Sequence, residues 1–228
     1  MADLASMHDA SHFFVATRIA STLKHLSIHW PVSLYEIDQS GIPALVLSAG
    51  ASLRFLSLTL SIDPLLVGET APVIDFSKLV NLERVGFTIQ TPSHHDEGIL
   101  AHVIFWICDR LASFPTSSTT LRDFVLRLNL HSHHLITTPV DGAVRLTSNV
   151  QHFQSLDDIL SGVGLERFVL EIQTYFSKAS DAARAHQMAF TRFPKLAAQG
   201  VLRVVVIDTL DDSFKEDSSS ATAVLEQL

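Results

Sequence analysis

Cysteine is almost missing from this chain: Cys108 is the single one in 228 residues. One thiol cannot close an intramolecular disulfide, and its solitude fits a reducing compartment. Clusters of basic residues are missing as well. Sixteen lysines and arginines are scattered among 24 acidic residues, for a formal charge of −8. Such a chain has no basic stripe with which to grip a phosphate backbone. Long apolar runs are also wanting. The longest, ILAHVIFWIC at 99–108, is interrupted by His102 and has about half the ~20 residues of a membrane span. The first residues, MADLASMHDASHFF, put acids and histidines where a secretory leader needs a basic start and an apolar block. Sequence motifs of catalysis are lacking too, with no G-x-x-x-x-G-K-[ST], H-E-x-x-H or G-x-S-x-G anywhere. These absences lead us to expect a cytoplasmic or nuclear protein that is not an enzyme, needs no cofactor, and binds neither nucleic acid nor membrane.

What is present is a phrase written six times: STLKHLSIHW, ASLRFLSLTL, VNLERVGFTI, TTLRDFVLRL, VGLERFVLEI and GVLRVVVIDT. Aligned on the first leucine, they share L-x-x-φ-x-φ, where φ is apolar. The triplets are Leu23/Leu26/Ile28, Leu53/Leu56/Leu58, Leu82/Val85/Phe87, Leu121/Phe124/Leu126, Leu165/Phe168/Leu170 and Leu202/Val205/Ile207. The last two members of each triplet are two residues apart, so they face one side of a strand, and the leucine turns inward from the entry bend. Successive first leucines are 30, 29, 39, 44 and 37 residues apart. A fixed phrase at variable intervals is what stacked repeats tolerate, because insertions fall in the loops.

Between the phrases lie segments that suit helices. The clearest covers 97–114, with Leu100, Val103, Ile104, Ile107 and Leu111 at helical spacing. A second covers 155–161, where Ser155 and Asp158 have the spacing of a capping box. A third covers 180–193 and ends before Pro194. Gly50, Gly162 and Gly200 stand two or three residues before a first leucine, where a left-handed glycine can stop a helix and turn the chain. Helix, turn and strand repeated in this way require parallel strands, since each return passes through a helix or long loop. The expected fold is therefore α/β: a solenoid of about six parallel strands alternating with helices or loops. Residues 1–20 form an N-terminal helix and partial cap, 21–210 the repeats, and 211–228 an acidic, polar tail with a capping helix. The thin N-terminal cap leads us to expect weak self-association through the first repeat.

With these elements laid out, the chain resembles leucine-rich-repeat solenoids, in particular the irregular long repeats of fungal F-box proteins. The likeness spans roughly residues 20–210. It rests on the repeated phrase, on D-x-S-x-L-x-N-L at 75–82, on the helix bearing Trp106, and on F-P-K-L at 193–196. It departs at the asparagine expected three residues after the end of each phrase core, which occurs only as Asn129. The other five positions hold Pro31, Ser61, Gln90, Gln173 and Leu210. No F-box-like segment precedes the first repeat. The resemblance implies a non-enzymatic protein–protein interaction module, the substrate-recognition part of a ubiquitin-ligase receptor without its F-box. Its partners would be a protein segment on the concave face and components of the ligase.

Residues alternating with the apolar triplet would line that concave face in rows across the strands. Two after each leucine stand His25, Phe55, Arg84, Asp123, Arg167 and Val204; four after stand Ser27, Ser57, Gly86, Val125, Val169 and Val206; six after stand His29, Thr59, Thr88, Arg127, Glu171 and Asp208. The candidate partner-binding residues are Phe55, Arg84, Asp123, Val125, Arg127, Arg167, Val169, Glu171, Val206 and Asp208. Charges alternate in sign along two rows, which serves either register or recognition. The valines between them make an apolar strip within a polar rim, the anatomy of an interface. A competing reading uses SHHDE at 93–97 and HSHH at 131–134. There His94, His95, His131, His133 and His134, with Asp96 or Glu97, would hold a zinc ion for a metal-dependent hydrolase, although the spacing matches no zinc signature.

Overall fold

The computed structural model describes residues 4–33, 40–61, 74–90, 97–114, 120–130, 147–174 and 179–208. Six strands form one sheet: β1 (His25–Ser33), β2 (Phe55–Ser61), β3 (Arg84–Gln90), β4 (Asp123–Leu130), β5 (Arg167–Thr174) and β6 (Leu202–Asp208). Their spatial order is their chain order, and every neighbouring pair is parallel. The described helices are α1 (Leu4–Ala16), α2 (Ile42–Ala49), α3 (Glu97–Ala112), α4 (Thr147–Val163), α5 (Ala179–Arg192) and α6 (Pro194–Ala198). Parallel crossovers are almost always right-handed, so a sheet built one strand at a time in one direction receives its crossovers on one face.

That face is the core. Leu56, Leu58, Leu60, Val85, Phe87, Ile89, Phe124, Leu126, Leu128, Phe168, Leu170 and Ile172 alternate along the strands and are all buried. They share one apolar cluster with Val46 of α2, Ile104 of α3, Leu156 of α4, Ala189 of α5 and Leu196 of α6. Phenylalanines run through it in sequence. Ring centroids are 6.5 Å apart for Phe76–Phe87, 5.9 Å for Phe87–Phe124, 5.7 Å for Phe124–Phe168 and 4.9 Å for Phe168–Phe193. The chain has 14 phenylalanines but only two tyrosines. A ring with no hydroxyl needs no hydrogen-bond partner in such a spine.

The entry to each strand is built alike. Leu53, Leu82, Leu121 and Leu165 are buried, and the residue after the preceding leucine lends one carbonyl to two amides. Lys24 O accepts from Arg54 and Phe55, Arg54 O from Glu83 and Arg84, Glu83 O from Arg122 and Asp123, and Arg122 O from Glu166 and Arg167, at 2.8–3.1 Å. Side chains next to the leucine lace these entries together. Ser52 Oγ donates to Leu23 O at 2.9 Å, Asn81 Nδ2 to Ala51 O at 2.7 Å, and Thr120 Oγ1 to Leu82 O at 3.1 Å.

Several sequence expectations need correction. α4 begins well before Ser155, whose hydroxyl donates to Gln151 O at 2.9 Å inside the helix, so it caps nothing. Gly164, with φ +78°, makes the left-handed turn into β5, and Gly162 does not; Gly50 and Gly200 do adopt positive φ. The pairing of β1 with β2 passes from Ile28↔Leu58 to Val32↔Leu60, so His29 falls out of the row that contains Thr59.

The largest correction concerns β6. Phe168 pairs with Leu202, Leu170 with Val204 and Ile172 with Val206. Leu202, Val204 and Val206 therefore face the helices, and Arg203, Val205 and Ile207 face the other way. The candidates Val206 and Asp208 stand on the helix side, since Asp208 pairs with Thr174. The reason is local: Gly200 turns the chain straight from α6 into the strand, leaving no room for an entry leucine ahead of it.

Candidate functional site

The face turned away from the helices carries the residues set out above, now in a definite order. Register aligns His25, Phe55, Arg84, Asp123 and Arg167 across five strands. Each touches the next. The His25 and Phe55 rings are 6.0 Å apart, and the Arg84 guanidinium carbon stands 5.9 Å from the Phe55 centroid, within cation–π range. Arg84 Nε and Nη2 donate to Asp123 Oδ2 at 3.0 and 2.7 Å. Arg167 Nε donates to Oδ1 at 3.1 Å and its Nη2 to Oδ2 at 2.9 Å. Partial burial opposes the charge of Asp123, but the hydrogen bonds and charges of Arg167 and Arg84 outweigh it and hold its carboxyl below the ordinary range. Two arginines share one acid, so the row carries a net positive charge at its centre.

Next to it runs the row Ser27, Ser57, Gly86, Val125, Val169 and Arg203. Its two halves differ. Ser57 and Gly86 are buried, and a Cβ on Gly86 would come within 3.2 Å of Ser57 Oγ. Val125 and Val169 are half-buried and Arg203 is exposed. The third row holds Thr59, Thr88, Arg127, Glu171 and Val205, with Arg127 Nε donating to Glu171 Oε2 at 2.9 Å. Thr59 is buried and Thr88 half-buried. The accessible apolar strip is thus Val125 and Val169 on β4 and β5, flanked by arginines on three sides.

Of the candidate residues, the structure brings Phe55, Arg84, Asp123, Val125, Arg127, Arg167, Val169 and Glu171 onto this one face. His94, His95, His131, His133 and His134 lie outside the described residues, as does Asp96. No group of three or more histidines, cysteines or acids able to hold a metal occurs among the described residues.

Sequence reasoning missed one row and, having named the positions of a second as a broken asparagine ladder, did not place them on this face. The residues directly after the leucines, Lys24, Arg54, Glu83, Arg122 and Glu166, carry charge at every copy. Arg54 pairs with Glu83, and Arg122 with Glu166 at 3.4 Å. The signal was in the phrase itself, one position before the row that was read. The other is an amide row, Gln90, Asn129 and Gln173, aligned beyond Arg127 and Glu171. Here the strands continue where a regular repeat would bend, so these amides lie on the same parity as the open face.

Behind the sheet, Cys108 is buried on α3. Its thiol donates to His152 O at 3.8 Å, and burial pushes it up to about 12. It packs between helices and offers no nucleophile. Asp157 of α4 is buried and accepts from the backbone amides of Lys195 at 2.9 Å and Leu196 at 3.0 Å, closing the first turn of α6. No described helix is long and apolar enough to cross a membrane. Comparison with protein-family models, with curated proteins and with solved structures finds no match to this chain.

Proposed function

We propose that this chain is a leucine-rich-repeat-like solenoid that acts as a non-enzymatic interaction module, receiving a protein segment across the open face of β3–β5. The observation that carries the reading is the division of the sheet. One face is sealed by helices over a continuous phenylalanine spine, while the other displays Val125 and Val169 between ordered charge rows. An apolar strip with a charged, hydrogen-bonded rim is the form of a protein-binding surface. Arginines pre-set by Asp123 and Glu171 lose little freedom on contact with a partner. Through the resemblance to F-box repeat regions, the partner is a substrate of ubiquitin ligation, and the chain is the recognition part of such a receptor.

The test is site-specific photo-crosslinking in the source cells. A photoreactive residue at Val125, beside Val169 on the strip, is expected to capture a discrete partner, and one at exposed Ala183 on α5 is not. Val169→Glu in the same chain should abolish the capture; glutamate is chosen because Arg203 stands opposite Val169 and would be repelled by lysine. Ubiquitin-ligase components among the captured proteins would support the receptor reading. Equal capture from both positions would sink the open face as the binding surface.

A further inference from the structure

The two edges of the sheet are guarded unequally. β1 contains Pro31, which has no N–H to give a neighbour, and its register breaks between Ile28 and Val32. Proline and irregular register both discourage another strand from adding to an edge. β6 has neither protection. It pairs with β5 through seven consecutive residues without a break, and five of the seven in LRVVVID are leucine, valine or isoleucine. No strand pairs with its outer side among the described residues. The flanking helix α5, which packs against β6, leaves Phe190 exposed. An edge with free backbone donors and acceptors and β-branched side chains is a template for one more strand.

We propose that β6 pairs antiparallel with β6 of a second copy of this chain, about a two-fold axis at Val205. The strand complements itself through its central residues in that arrangement, with Asp208 at the end opposite Leu202. Val205 lies at the middle of Leu202–Asp208 and meets its own counterpart, Val204 comes opposite Val206, and Arg203 comes opposite Ile207. Opposed residues share a face, so the buried side of one β6 continues into the buried side of the other. The axis stands perpendicular to the joined sheet, so both open faces look the same way. Two Val125–Val169 strips would then be presented side by side, and a partner carrying two segments would gain avidity without any new contact. The sequence alone pointed to the first repeat as the sticky end; the guarded β1, and a β6 whose outer side no described strand covers, move it to the last in this proposal.

The test is sedimentation velocity of the full chain over a wide concentration range, together with two variants at one position. Val205 is half-buried on the open face, so Val205→Lys and Val205→Glu should each fold, as circular dichroism would verify. Each should weaken the dimer about tenfold or more, because like charges then meet at the axis. An equimolar mixture of the two variants should restore dimer at the wild-type concentration. A chain that stays monomeric throughout overturns the proposal, as does a dimer indifferent to both variants. A mixture that fails to recover also overturns it. A reading that needs no variant is amide exchange of 202–208 in the wild-type chain, which should slow as protein concentration rises. Exchange independent of concentration counts against β6 as the interface.

Discussion

Asp123 holds the open face together, and its worth depends on its charge. Arg84 and Arg167 both donate to it. Its carboxyl is held below the ordinary range when folded, so it stabilises the fold above the unfolded carboxylate value of about 3.9. That contribution is lost as pH falls through the lowered folded value. Because the arginines are nearly half exposed, the expected size is modest: Asp123→Asn should cost about 1 kcal/mol at pH 7. Urea denaturation should show the wild-type advantage shrinking below about pH 4 and vanishing once Asp123 is protonated in both states. Asp157 works differently, by satisfying two buried amides. Asp157→Ala should cost about 2–3 kcal/mol, the loss of a helix cap plus unpaired buried donors. Asp157→Asn should recover part of it, since one acceptor oxygen remains. If alanine and asparagine were equally costly, the carboxylate's charge would be its main contribution.

At the level of elements, the sequence disclosed five strands well and one badly. In the first five phrases polar or small residues alternate with apolar ones except at Phe55, Val125 and Val169, so only one register buries the right set. Leu53, Leu82, Leu121 and Leu165 each precede their strand by two residues. GVLRVVVIDT is apolar at every position from 204 to 207, so its alternation cannot choose a face, and the leucine alignment chose the wrong one. The role of Asp157 was illegible for another reason: its partners lie 38 and 39 residues away in sequence, a distance no local pattern reports. The open face was legible as rows, yet its narrowing at Ser57 and Gly86 depends on neighbouring bulk across strands. The β6 register can be tested directly. Val204→Lys puts an unpaired charge into the core and should cost about 3 kcal/mol or more. Val205→Lys should cost far less in the monomer. The register read from the phrase alone demands the opposite order, and thermal or urea melts of the two variants at low protein concentration decide between them.

For the whole molecule, the consequence of stacking in chain order is that stability is unevenly shared. Strands β3–β5 have neighbours on both sides, and the phenylalanine spine passes over them from Phe76 to Phe193. At the first end, Leu23, Leu26 and Ile28 are only partly buried, while α1 packs on α2 and leaves Phe13 and Phe14 exposed. A repeat with one neighbour loses about half of the interface energy available to an inner one. Phe168→Ala should therefore cost about 3–5 kcal/mol, and Leu26→Ala should cost clearly less. Native-state hydrogen exchange should give the same ranking without mutation. Amides of 25–33 should open through a local unfolding of lower free energy, and those of 123–130 and 167–174 only with the whole molecule. Equal protection at both places would mean that α1 closes the first repeat as a full cap. Its exposed phenylalanines would then have to be covered by something other than the residues described.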